Sequence, residues 1–239
     1  MKQLLDVLKK RFTTKHWDHS KPISNDQLEY ITDCIYMAPS KMAAHLHTCV
    51  VITDSEEGKK IKDWLFYETT WTGNGRLLED GDQDTVRMYN GQYRAPVVIA
   101  WLNPINSAAT DIKVYGGVTT KVHLPSFQQR QNDIFISTMA AIMAGEEQGL
   151  NTGFGSCHDH KLVAEKLGFP DHECPIIVGF GYAEDMTELE KEYGILIPIF
   201  DPNDGETILG YDATNFVIGH TGNQNRNGKP EKNKIMVTI

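Results

Sequence analysis

No stretch of the 239 residues is apolar for long enough to cross a bilayer, which excludes a transmembrane helix. Cysteine is scarce: Cys34, Cys49, Cys157 and Cys174 are scattered and form no C-x-x-C pair. That spacing argues against a disulfide framework or a zinc site, so any redox chemistry needs a bound cofactor. Positive charge is also in deficit. The net charge of -9 opposes general attraction to nucleic acid or to an anionic membrane, and neither is expected as a partner. There is no internal repeat, and the nearest approach to low complexity is residues 222–234, rich in Asn, Gly and Lys, so 222–239 reads as an extended tail. Residues 1–10 interleave charges with Leu4, Leu5, Val7 and Leu8, unlike the continuous apolar core of a secretory signal, and the expectation is a cytoplasmic protein.

What is present is an ordinary globular composition, 40% hydrophobic and 23% charged, at a length suited to one large domain over residues 1–239. Leu4, Leu5 and Leu8 fall at helical spacing and predict a first helix ending near Arg11, with residues 11–15 as loop. Ser24 and Gln27 form a capping-box pattern, and Leu28, Ile31 and Ile35 then give one apolar face as far as Pro39. Residues 49–52 favour a strand, followed by a helix through Lys62 and Leu65 with Asp54 and Glu57 at its start. Residues 73–91, rich in Gly and charge, read as a surface excursion or lid. The almost unbroken apolar run over 95–102 predicts a central strand buried on both faces. Residues 132–148 predict a helix whose Ala140, Ala141, Ala144 and Gly145 permit close approach in the core or at a dimer interface. A helix over 162–167 stopped by Gly168 and Pro170, then a buried strand over 176–182, completes an α+β sandwich whose strand order the pattern leaves open.

Two constellations invite chemistry. Arg11, Thr13 and Lys15 combine an Arg fork, a hydroxyl donor and a cation, the donor set a phosphate wants, although by themselves they equally suit a solvated helix end. Cys157, His158, Asp159 and His160 suggest a metal site or a Cys/His nucleophile pair. Zinc usually takes well-separated ligands and a thiol needs its base near in space, so no metal site is expected. His45 and His47 alternate as residues on one strand face do, and are better candidates for substrate selectivity than for metal.

The separated motifs, taken in order, resemble the nitroreductase family of FMN-dependent flavoproteins, including its oxygen-insensitive nitroreductase and dihydropteridine reductase branch. Arg11, Phe12, Thr13, Thr14 and Lys15 match the opening Arg-x-Ser/Thr-x-Lys/Arg segment, and Ala38, Pro39 and Ser40 match Ala-Pro-Ser after the second helix. Gly149 and Leu150, then Leu167 to Pro170, then Gly179 to Tyr182 match the later segments. The resemblance implies an α/β sandwich with a central mixed sheet flanked by helices, and a homodimer with two FMN sites at the subunit interface. It implies that Arg11 and Thr13 hold the phosphate, with Phe12 in the same segment, and that Lys15 lies nearer the ribityl chain and pyrimidine edge. Pro39, Ser40 and Lys41 would reach the flavin from the partner chain, Asn90 would face the pyrimidine edge, and Gly155, Ser156 and Cys157 would approach the reactive ring nitrogen. Arg226 and Lys229 would close over the phosphate.

The implied reaction is flavin reduction by NADH or NADPH, then reoxidation by a nitroaromatic, quinone or related conjugated acceptor in turn at the same face. The flavin carries the chemistry, so no catalytic acid or base is assigned. Residues 43–47 depart from the family's usual continuation, and residues 183–225 are longer than in most relatives. These departures leave a reductive dehalogenase or specialised dehydrogenase as alternatives, beside a non-catalytic flavin-binding protein and, more remotely, a Cys157-dependent hydrolase.

Overall fold

The computed structural model describes residues 6–8, 11, 13–41, 45–68, 71–73, 86–88, 90–105, 110–113, 119–122, 126–156, 158–184, 199–200 and 207–208. Phe12, Cys157, Arg226 and Lys229, and the tail over 222–239, lie outside the described residues. In chain order the elements are α1 (Asn25–Met37), β1 (Thr48–Ile52), α2 (Glu56–Glu68), β2 (Trp71–Gly73), β3 (Val86–Met88), a 3-10 turn (Gly91–Arg94), β4 (Val97–Pro104), β5 (Thr110–Lys113) and β6 (Thr119–Val122). Then follow α3 (Phe127–Glu147), β7 (Asn151–Gly155), α4 (His160–Lys166), β8 (His172–Gly181), β9 (Ile199–Phe200) and β10 (Thr207–Ile208).

The main sheet has the order β1-β4-β8-β7, and every one of these pairings is antiparallel. The expected mixed sheet is therefore corrected: among the described residues, parallel pairing is confined to an isolated bridge between Thr13 and Thr152. β7 and β8, joined through the seven-residue α4, pair antiparallel like the other neighbours in the sheet.

The sheet is covered on both faces. Ile99 and Trp101 of β4 and Val178 and Phe180 of β8 pack on one side against Ile31 and Ile35 of α1 and Ile134, Ala141 and Ala144 of α3. Val98, Ala100 and Leu102 point the other way, against Leu65 of α2 and Val163 and Ala164 of α4. That alternation of faces explains why β4 is apolar at every position from Val97 to Leu102. A bulge interrupts it, since Trp101 pairs with Ile176 but Asn103 pairs with Glu173. The extra residue turns Cys174 to the face opposite that of Ile176.

The local signals act mostly as expected. Both capping-box bonds form at Ser24 and Gln27. The long helix begins earlier than residue 132, because Ser126 and Gln129 supply a second capping box. At α2 the capping hydroxyl is Ser55, which accepts from Gly58 N at 3.1 Å, while Asp54 pairs with the buried Lys62. Gly149 and Gly168 take φ of +81° and +89° just past α3 and α4, the left-handed stop for which glycine is favoured. The arms of the 73–91 excursion are paired, Trp71 with Met88 and Gly73 with Val86. Within residues 183–225, Ile199 and Phe200 pair with Ile208 and Thr207.

Candidate functional site at the β7 edge

β7 has one edge on β8, and the N-terminal segment covers the other. The Arg11 amide closes a helical turn onto Val7 O at 3.0 Å, and the chain then extends. Thr14 N donates to Thr152 O at 2.9 Å, Asp18 N to Tyr182 O at 2.8 Å, and the Trp17 indole to Gly91 O at 2.9 Å. This docking depends on missing side chains. A Cβ at Gly153 would stand 2.1 Å from Thr14 O, and one at Gly91 would stand 2.6 Å from Lys15 O. The two glycines form a cradle between the 3-10 turn and β7 into which residues 14–15 settle.

Buried polar atoms with no hydrogen-bond partner among the described residues include Thr14 Oγ1 and Gln92 Oε1 at this cradle and Arg11 Nη1, which lies in the field of Glu146 at the end of α3. Others are elsewhere, on His47, Thr138 and His172. Each such atom costs about 1–3 kcal/mol if left unmet, so each favours a partner of complementary hydrogen-bonding character. Arg11 and Thr14 suit the oxygens of an anion, and Gln92 Oε1 suits a hydroxyl or imide N–H. Gln92 is held in place by its amide nitrogen, which donates to Phe154 O at 3.1 Å. Asn90, immediately before the 3-10 turn, is buried at the same edge. Lys15 is half-buried, and Ser156 is exposed at the end of β7.

Gly155 is required by an aromatic ring within the fold. Its Cβ position is 2.7 Å from the Tyr93 hydroxyl, which in turn bonds His158 Nδ1 at 2.5 Å. His158 Nε2 donates to Cys174 O at 2.8 Å, so the neutral tautomer satisfies both ring nitrogens. Burial pushes His158 down to about 4, against the opposing pull of the Cys174 carbonyl. Asp159 caps α4 by accepting from Lys161 N and Leu162 N, both at 3.0 Å. Two members of the Cys157–His160 run thus have structural duties, and no group of three His, Cys, Asp or Glu among the described residues could hold a metal.

The second set of expected site residues lies elsewhere in the protomer. Lys41 N donates to Asp133 Oδ2 at 2.8 Å near the start of α3, and Ser40 Oγ accepts from His45 N at 3.2 Å. Glu146, near the end of α3, carries the Thr152 hydroxyl at 2.7 Å and lies in the field of Arg11. The 13 residues separating Asp133 from Glu146 correspond to about 20 Å of helix, so Pro39, Ser40 and Lys41 stand well away from Arg11 and Thr13. His45 and His47 do not share a strand face, because both precede β1 and His45 has φ of +44°. His45 stacks on Tyr36, while His47 Nε2 meets Ser137 Oγ at 3.3 Å.

The sequence profile of the nitroreductase family matches residues 8–182, the span that holds the sheet, both helical layers and the cradle. The chain belongs to the nitroreductase family. No curated protein matches it in sequence. Among solved structures it is similar to a nitroreductase family protein from Clostridium difficile 630, with a TM-score of 0.53 at 15% identity, covering 82% of this chain and 95% of that one. An FMN-dependent nitroreductase from Clostridium difficile R20291 gives 0.52 at 16% identity, with 77% and 89% covered. A Bacteroides thetaiotaomicron protein provisionally named NADH dehydrogenase/NAD(P)H nitroreductase gives 0.52 at 14%, with 78% and 90% covered. Such identities speak for the fold. The residues that meet at the cradle speak for the site in this nitroreductase-family chain, and Gly153, Gly91, Gln92 and Glu146 join those anticipated from sequence. Of these, Gly91 closes the Gly-rich stretch over 73–91, whereas Gln92 and Glu146 carried no signal in the sequence.

Proposed function

We propose that this protein is an FMN-dependent oxidoreductase, reduced by NADH or NADPH and reoxidised by a nitroaromatic, quinone or related conjugated acceptor. The observation that carries the reading is the cradle: Thr13 and Thr14 run along β7, Lys15 rests on Gly91 next to the buried Asn90 and Gln92, and Arg11 Nη1, Thr14 Oγ1 and Gln92 Oε1 are buried with no hydrogen-bond partner among the described residues. FMN when bound supplies hydride acceptance and return. Arg11 and Thr13 would hold the phosphate, a charge-assisted contact that fixes the charged end of the molecule. Lys15 would place a cation near the pyrimidine edge, where negative charge gathers on reduction. Asn90 or Gln92 would satisfy the polar ring edge, and the main chain at Gly155 and Ser156 would donate near the reactive nitrogen.

Pro39, Ser40 and Lys41 would complete the site from the partner subunit of a homodimer. The outward face near that end of the α1–α3 pair supports this, since Tyr36 and Met37 are 71% and 76% exposed and Phe135, Ile136 and Met139 are exposed beside them. Acceptor choice would fall to the residues around His45 and His47.

The test is the spectrum of the purified protein under anaerobic conditions. A flavin absorbance that bleaches on addition of NADH or NADPH and returns on addition of a quinone or nitroaromatic supports the reductase. Stable colour without bleaching supports a flavin-binding protein or a different reductant. A colourless chain that takes up no added FMN sinks the proposal.

A further inference from the structure

Glu146 lies in the last turn of α3, half-buried, with Oε1 accepting from the Thr152 hydroxyl at 2.7 Å. Thr152 is itself 1% exposed, bridges Thr13 and accepts the Thr14 amide, so the carboxyl sits beneath the segment that follows Arg11. Arg11 and Glu146 interact through space, yet Arg11 Nη1 is buried without a hydrogen-bond partner among the described residues. A closed bidentate pair would have consumed the guanidinium. Here, among the described residues, Nη1 stays available while a carboxyl lies nearby.

We propose that Glu146 is the proton-linked counter-charge of the Arg11 site: it balances Arg11 while no anion is bound, and takes up a proton from solvent when a phosphate group engages Arg11. This inference rests on the reading of Arg11 as the phosphate residue. Burial pushes the Glu146 carboxyl up to about 7, while the Thr152 hydroxyl and the Arg11 charge pull it down. The groups around it are few. The N-terminal segment presents Arg11, β7 presents the neutral Thr152, and β8 presents the ring of Phe180 beside Gly145. On its own helix Glu147 is engaged by the Tyr30 hydroxyl of α1 at 2.8 Å, with Cys34 close to that pair. An anion that offsets Arg11 removes the nearby positive charge favouring the carboxylate, and adds a negative one that opposes it. Both changes favour the protonated acid.

The sign follows from linkage. Binding that takes up a proton weakens as pH rises, so FMN affinity should fall from about pH 7 upward. Calorimetric titration of the full chain, stripped of flavin, with FMN at pH 7.5 in buffers of different ionisation enthalpy reads the proton count directly. Wild type should take up a fraction of a proton per FMN, and Glu146→Gln should bind FMN with that uptake abolished. Riboflavin, which lacks the phosphate, should give no uptake with either protein. In wild type alone the uptake should vanish below the range in which Glu146 titrates, a check independent of the variant. Equal proton counts in wild type and Glu146→Gln, with Arg11→Ala weakening FMN about tenfold or more, would overturn the role of Glu146 alone. Undiminished affinity in Arg11→Ala would overturn the phosphate assignment and this inference with it.

Discussion

The surroundings of His158 leave its ring little freedom. The Tyr93 hydroxyl fills Nδ1, the Cys174 carbonyl takes the proton on Nε2, and a charged ring would lose the Tyr93 bond. A folded value of about 4, against 6.5 for an unhindered ring, means that the unfolded chain binds a proton the folded chain refuses. Stability from this group is therefore complete above about pH 6.5 and is lost as pH falls toward 4. His158→Gln should flatten that loss. Melting temperatures at pH 7.5 and pH 5 check it, and parallel declines in the two proteins would show that His158 is not held neutral. The same bonds engage both ring nitrogens, which leaves His158 unsuited to serve as the base of a Cys157 hydrolase.

At the scale of elements, the N-terminal segment is positioned by glycines on its neighbours. Gly→Ala at an unstrained site ordinarily stabilises by about 0.4–1 kcal/mol through the unfolded chain. At Gly153 the added methyl would meet Thr14 O at 2.1 Å, inside any tolerable contact. The backbone must move, and overpacking of this kind costs about 1–3 kcal/mol, which reverses the sign. Gly153→Ala should lower the urea midpoint and weaken FMN uptake together, because the displaced segment carries Arg11, Thr13 and Lys15. An unchanged midpoint would mean that the segment does not lie on β7. For Gly145 the close approach is also within the chain, since its Cβ would stand 2.9 Å from the Phe180 ring. The small-residue face of α3 thus packs on the sheet, and the opposite face carries Phe135, Ile136 and Met139.

For the whole molecule, that outward face is the basis for the proposed homodimer. Ile136→Asp places a charge on a surface that pairing would bury, where an unpaired charge is costly. Sedimentation velocity should find wild type as a dimer and Ile136→Asp shifted to monomer, with flavin retention falling as Pro39, Ser40 and Lys41 of the partner subunit are withdrawn. A monomeric wild type would remove the partner's contribution.

Much of this was legible in the sequence because its cause is local. The capping box at Ser24, the left-handed stops at Gly149 and Gly168, and the apolar run of β4 each follow from side chains acting on their own backbone or on the pattern of one strand. The order of the motifs from Arg11 to Tyr182 likewise fixed the family. The antiparallel order of the sheet, the cradle of Gly91 and Gly153 beneath Thr14 and Lys15, and the placement of Glu146 under Thr152 were decided only by the tertiary structure. The two glycine contacts join residues 76 (Gly91 to Lys15) and 139 (Gly153 to Thr14) positions apart, and no local preference encodes which distant backbone a missing side chain will admit.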